Sequence, residues 1–280
     1  MNNKFYGSRF LQARMFYGLS LQDLGEKIGV SRQYLQKIES ELCSPSEDIL
    51  NCISEVLHVE PIFFSRPITN LLLENQCHFR KAKTTSANIK IRATQQAAMY
   101  AELVSFIDKY VDFPQIDFPQ IEITDIESIE LAAEKCRTHW GLGSDRPISN
   151  MIRVLENAGA VVTTFKDISD KIDAFSTSRS RPIIIENNVT ACRMRFDLAH
   201  ECGHLVMHEG IETGDAETES QAHRFASAFL LPREAFIKEF SFLNNAARIP
   251  WKKLFDLKKR WKVSVAAILR RAVDLKIMTP

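Results

Sequence analysis

The 280-residue chain has almost no net charge: +1 at neutral pH, with 36 basic and 35 acidic side chains. The molecule as a whole is therefore no electrostatic magnet for nucleic acid, and any DNA binding must come from a local face. It also lacks an apolar run near the roughly 20 residues needed to span a bilayer. Its N-terminal MNNKFYGSRF has no signal-peptide core. These absences argue against a membrane protein and predict a cytoplasmic chain. No two of the six cysteines (Cys43, Cys52, Cys77, Cys136, Cys192, Cys202) form a CxxC pair. Reduced, mostly buried thiols are expected.

What remains is an ordinary globular composition, 45% hydrophobic and 25% charged, long enough for two domains. Residues 1 to about 66 read as short helices. Ser20 is placed to cap a helix through Ile28, with Asp23 in capping-box position. Gly29-Val30 makes a turn, and Ser31 caps a helix carrying Tyr34, Leu35 and Ile38 at helical spacing. Another helix begins at Ser46 and runs through Leu57. Two short helices joined at a glycine turn would place Leu21 and Leu24 toward a core, with Val30 and Leu35 packing from the other side.

Residues 68–94 are polar and basic and read as a connector, followed by a helix to about 111. The unit DFPQI is then written twice over 112–121. A proline in each copy forbids helix continuation, so the stretch is expected to be an extended linker. Helices are predicted at 125–142 and 147–158, and strands at AVVTTF, at 173–178 and at RPIIIENN (181–188), with a turn at Asn187-Asn188. A long helix follows over about 193–209, then another at 217–230 and further helices to the end. The tail 251–276 has nine Lys/Arg against two Asp and reads by default as a solvated charged face, with Trp261, Val263, Val265, Ile268 and Leu269 supplying apolar contacts.

The chemistry concentrates in FDLAHECGH, 196–204. Helical residues four apart share a face, so His200 and His204 can converge on one ion. Glu201, directly after the first histidine, can face a bound water and act as general base. Phe196, Leu198, Ala199, Leu205 and Val206 predict a buried helix. Gly203 is read as leaving room beside the metal. Burying two histidines and a glutamate is costly unless something pairs them, and a divalent ion does so. His208 continues the spacing but lies about 12 Å along the helix from His200, so it reads as an outer-shell or surface residue. For the third ligand, Glu219 and His223 share a helix face in ETESQAHRFASAFLLP; Glu219 is the choice, with His223 the alternative or an outer-shell partner. Asp215 and Glu217 read as solvated acids near the start of that helix.

These motifs, in this order, resemble the ImmA/IrrE metallopeptidases: WGLGSDRPISNMIRVLENAGAVV, then MRFDLAHECGHLVMH, then ESQAHRFASAFLLP, over about 137–236. RWKVSVAAILRRA matches the C-terminal part of the same family. The resemblance implies zinc held by His200, His204 and Glu219, with Glu201 as base. It departs at His223, where the family usually has asparagine, and at Cys202, where leucine is common. GLSLQDLGEKIGVSRQYLQKIESELCSPSEDIL resembles the lambda-repressor-like (XRE) helix-turn-helix. That likeness implies a second helix entering the major groove, with Ser31, Arg32, Gln33, Gln36 and Lys37 outward. It also implies binding of double-stranded DNA as a homodimer.

The expected fold class is α+β. An all-α helix-turn-helix domain (1–67) precedes a helical or extended linker (68–124) and an α+β zincin-like domain with a small sheet and a basic helical tail (125–280). The function that the resemblance implies is that of a DNA-binding zinc metallopeptidase that cleaves a protein substrate, a helix-turn-helix repressor, in stress response or mobile-element control. Mn2+ or Fe2+ could replace Zn2+. His208, His223 and Arg195 are the candidate oxyanion donors. The alternative is a transcriptional regulator whose peptidase-like domain senses a metal or ligand, or binds a partner, without turnover.

Overall fold

A computed structural model describes residues 4–68, 77–79, 87–164, 174–177, 181–186, 190–211, 213–241 and 250–279. The chain divides into two compact units, one of 1–74 and 85–112, the other of 75–84 and 113–280. The Asn187-Asn188 turn and most of the basic connector fall outside the described residues.

The first unit is helical. α1 (Gly7–Phe16), α2 (Leu21–Ile28), α3 (Arg32–Glu39) and α4 (Glu47–Val56) precede a 3-10 turn at Pro61–Ser65. The helix starts follow local chemistry. Ser20 Oγ accepts from the Asp23 amide at 3.0 Å, and the Asp23 carboxylate accepts from the Ser20 amide at 2.9 Å, a complete capping box. Ser31 and Ser46 accept in the same way from Tyr34 and Ile49. Gly29, at φ 74°, ends α2 in the left-handed region where a Cβ would be strained. Phe10, Leu24, Leu35, Ile38, Ile53, Leu57 and Phe64 form the core. Arg14 ties α1 to α3 through Glu39 at 2.8 Å.

α5 (Ala87–Ile107) lies in this unit and packs along α1. Arg9 donates to Glu102 at 2.7 Å, and Gln96 Nε2 donates to the Phe16 carbonyl at 2.9 Å. The stretch 68–124 is thus not a separate linker. Its helix belongs to the first unit because Arg9 and the end of α1 offer it polar partners far away in sequence. From Phe113 the chain belongs to the second unit.

The second unit is α+β. Its sheet has the order β1 (Cys77–Phe79), β3 (Ala174–Thr177), β4 (Ile183–Glu186), β2 (Val161–Thr163). β3 runs antiparallel to both β1 and β4, while β2 is parallel to β4. β1 falls inside the stretch read as a connector. Three residues are too few to show the alternation that marks a strand. β4 was legible because Ile183, Ile184 and Ile185 are buried in succession.

The helices are α6 (Ile126–His139), α7 (Met151–Asn157), α8 (Ala191–Met207), α9 (Ala216–Leu230), α10 (Arg233–Phe240), α11 (Trp251–Trp261) and α12 (Val265–Asp274). α8 is buried on every side from Asp197 onward and packs chiefly on α9. Gly203 permits that approach: a Cβ there would lie 3.0 Å from Phe225 Cδ1 of α9. The room it leaves is filled by the Phe225 ring.

The repeated DFPQI stretch is extended, as its prolines require, but it is bound along the second unit. Ile121 N donates to the Val206 carbonyl at 3.0 Å, and Gln120 Nε2 donates to that of Leu205 at 3.1 Å. It thereby satisfies carbonyls at the end of α8 that have no partner within the helix. Phe118 meets Trp140 edge-on. The basic tail is amphipathic rather than wholly solvated. Trp261, Val263 and Ile268 are buried, and so is Arg271, which grips Glu130 at 2.5 and 2.7 Å.

Candidate metal centre

Two helices set this site. α8 carries His200 and His204 one turn apart on a single face, both almost fully buried. α9 begins at Asp215, whose carboxylate accepts from the Glu217 and Thr218 amides. Those bonds, with the Thr218 hydroxyl foremost, hold Asp215 below the usual carboxylate range. Asp215 is thus the cap of α9 rather than only a solvated acid. The cap fixes the first turn, and Glu219 projects from it toward α8.

The donor atoms converge. His200 Nε2 and His204 Nε2 are 3.1 Å apart. His200 Nε2 lies 3.3 Å from Glu219 Oε2, and His204 Nε2 lies 3.3 Å from the other oxygen, Oε1. An ion about 2.0–2.1 Å from each donor, at tetrahedral angles, needs donors about 3.3–3.4 Å apart. The His–His separation and the two His–carboxylate contacts, each to its own Glu219 oxygen, come within a few tenths of an ångström of that spacing. Among the described residues this trio is the group of His, Cys, Asp or Glu side chains placed to hold a metal ion. The donor chemistry fits as well. Burial pushes His204 down to about 4, so it is a neutral imidazole at physiological pH. Burial alone would raise the Glu219 carboxyl, but the two imidazoles facing it outweigh burial and hold it well below the usual range. Two neutral nitrogens and one carboxylate oxygen form a donor set suited to a borderline divalent ion.

Comparison with known families agrees. Residues 155–273 match the model of the IrrE N-terminal-like domain, a peptidase family, and residues 12–64 match that of a helix-turn-helix. The chain carries an IrrE-like peptidase domain behind a helix-turn-helix. The IrrE-like family is one of metallopeptidases, which implies a metal, and the helix-turn-helix is a DNA-binding module. No curated protein matches the chain.

Within the IrrE-like domain the remaining candidates fall in different places. Glu201 is fully buried on α8 directly after His200. His208 sits at the C-cap of α8, where the helix ends, and its Nδ1 meets His204 Nδ1 at 2.9 Å. Burial pushes it below the usual histidine value. His223 stands one turn beyond Glu219 with its ring 4.8 Å from that of Phe196, outside the trio. With Arg193, Phe196 and Arg270 it lines a cavity of about 480 Å³ alongside α8.

Arg195 does not face the site. It lies five residues before His200, about 140° round the helix, and donates to the Ile148 carbonyl. Arg195 is therefore not placed to serve as the expected oxyanion donor, because it falls on another face of α8 and is held by the Ile148 carbonyl. Cys202 is fully buried, and burial raises its thiol well above the ordinary value, so it stays protonated among core side chains. Cys136 is likewise buried, but Cys52 is exposed and Cys43 and Cys192 are half-buried. The thiols are not mostly buried among the described residues. In the helix-turn-helix, Ser31, Arg32, Gln33, Gln36 and Lys37 are all exposed on α3, while Leu35 and Ile38 turn into the core.

Sequence reasoning missed Gln221. It lies one turn beyond Glu217 on α9 and bonds His208 at 2.8 Å. Nothing in its local sequence separates it from a solvated glutamine, because its partner belongs to another helix.

Proposed function

We propose that this chain is a cytoplasmic, DNA-binding zinc endopeptidase. The observation that carries the proposal is the convergence of His200 Nε2 and His204 Nε2, 3.1 Å apart, on the Glu219 carboxylate, each 3.3 Å from one of its two oxygens. These residues would hold the ion, with Zn2+ favoured by the donor set and Mn2+ or Fe2+ compatible with it. When bound, such an ion acidifies a water and polarises a peptide carbonyl. Glu201 would take a proton from the attacking water on a carboxylate oxygen as the water oxygen bonds to the carbonyl carbon, and would deliver it to the amine nitrogen as the C–N bond breaks. The buried histidines keep the ion fixed and bulk water out, while the half-exposed Glu219 marks the open side where a peptide enters. The substrate we favour is a helix-turn-helix repressor, in stress response or mobile-element control, with the chain brought to DNA as a homodimer by the outward residues of α3.

The exposed face of α3 also supports a second reading, in which operator binding is the output and the IrrE-like domain senses metal or ligand. One substitution separates them. Glu201→Gln should leave the metal content unchanged and abolish cleavage of the repressor encoded nearest to this chain's gene, by at least a hundredfold. Operator binding that responds to metal in both wild type and Glu201→Gln, with no cleavage by either, would favour the sensor.

A further inference from the structure

We propose that His208 and Gln221 are positioning residues that set the tautomer of the metal-facing His204 through a directional hydrogen-bond relay anchored on the Glu217 carboxylate. The inference rests on the reading of His200, His204 and Glu219 as metal donors.

Four side chains form an unbroken line across α8 and α9. His204 Nδ1 lies 2.9 Å from His208 Nδ1. His208 Nε2 lies 2.8 Å from Gln221 Oε1. Gln221 Nε2 lies 3.3 Å from Glu217 Oε1, four residues back on the same helix. Donor and acceptor roles are fixed from the outer end. An ionised carboxylate only accepts, so Gln221 turns its amide N–H to Glu217 and its oxygen to His208. His208 must then donate from Nε2. A neutral imidazole carries one proton, so its Nδ1 is an acceptor and requires a donor at His204 Nδ1. With the proton on Nδ1, the lone pair of His204 is left on Nε2, the atom that faces His200 and Glu219. The opposite tautomer would place a proton where the ion should be and would set two bare nitrogens 2.9 Å apart at His208.

The placement of His208 supports this role. It is 2% exposed, far more buried than a histidine needs to be for solubility. It stands at the C-cap, where α8 ends and its backbone leaves helical geometry, which lets its ring fold back against His204. A metal-bound histidine generally donates its other ring N–H to an acceptor, and loss of that acceptor costs about 10–100-fold in metal affinity. Here the acceptor is a second imidazole, itself oriented by an amide and a carboxylate.

The test measures Zn2+ affinity of the full chain by competition with a chromophoric chelator, with circular dichroism to confirm folding. His208→Phe and Gln221→Leu should each weaken Zn2+ binding, by about 10–100-fold for the first and less for the second. Gln221→Glu keeps an acceptor for His208 Nε2–H and should restore near wild-type affinity, a rescue that a merely packing role does not require. If His208→Phe fails to fold, the Gln221 pair alone decides. Unchanged affinity in Gln221→Leu, or equal loss in Gln221→Leu and Gln221→Glu, overturns the relay. A wild-type chain that binds no Zn2+, or a His204→Ala chain that binds it as tightly, overturns the metal reading instead, so the two failures are distinct.

Discussion

At the scale of single residues, the site is governed by buried groups whose ionisation is shifted from the ordinary. Burial penalises the charged form of His204 and pushes it down to about 4 in the folded chain, against an ordinary 6.5. The unfolded chain therefore takes up that proton first as the pH falls. In metal-free protein the resulting stability is fully present above pH 6.5 and is lost progressively down to about 4. Glu219, held below the usual carboxylate range, acts in the same direction at still lower pH. Urea midpoints of chelator-treated protein should accordingly drop between about pH 7 and about pH 5, more steeply than in His204→Gln. A midpoint indifferent to pH over that window would mean that His204 is not buried neutral.

At the scale of elements, the site depends on how closely α9 is held to α8. Gly203 lets the two helices meet at the Phe225 ring. Gly203→Val should cost about 1–3 kcal/mol by crowding that ring. It should weaken metal binding too, since the spacing of the helices sets the donor geometry. Thermal denaturation and chelator competition check the two effects, and an unaltered melting temperature would contradict the packing argument. The far end of α9 is fixed by two buried arginines. Arg137 donates to the Phe229 carbonyl at 2.6 Å, and Arg271 donates to that of Leu231 at 3.0 Å while pairing with Glu130. Both address carbonyls at the helix C-terminus, where positive charge is favoured. Arg271→Ala leaves the Glu130 carboxylate buried without its partner and should cost about 3–5 kcal/mol. The double change Arg271→Met with Glu130→Leu should cost clearly less, as measured by chemical denaturation. A double variant as unstable as the single would remove the charge-burial explanation.

The same elements show how much was legible in the sequence. The capped starts of α2, α3 and α4, the buried helix around His200 and His204, and the isoleucine run of β4 are local signals, and each was readable. Glu219 was one of two candidates on a helix face, and only the inter-helix distance separates it from His223. Pairings between residues distant in the chain left no local trace. Arg271 and Glu130 are 141 residues apart, and in the sequence Arg271 reads only as part of a charge run. The DFPQI strap showed its extended form through proline but not the α8 carbonyls it would satisfy. β1 was too short to show a period.

At the scale of the whole molecule, two units with separate cores divide the work. The first presents an exposed polar face on α3, and in a chain with a net charge of only +1 the DNA contact proposed for that face would rest on local groups. No helix among the described residues is long and apolar enough to cross a membrane. The second unit holds the donor set, and the proposed proteolysis stands or falls with it. The most direct test is metal analysis of the purified full-length chain after exhaustive dialysis, beside His204→Ala and Glu219→Ala. The account predicts about one tightly held divalent ion per chain in the wild type, largely lost from both variants. A wild-type chain without bound metal and unable to take up Zn2+, or variants that retain it undiminished, would contradict it.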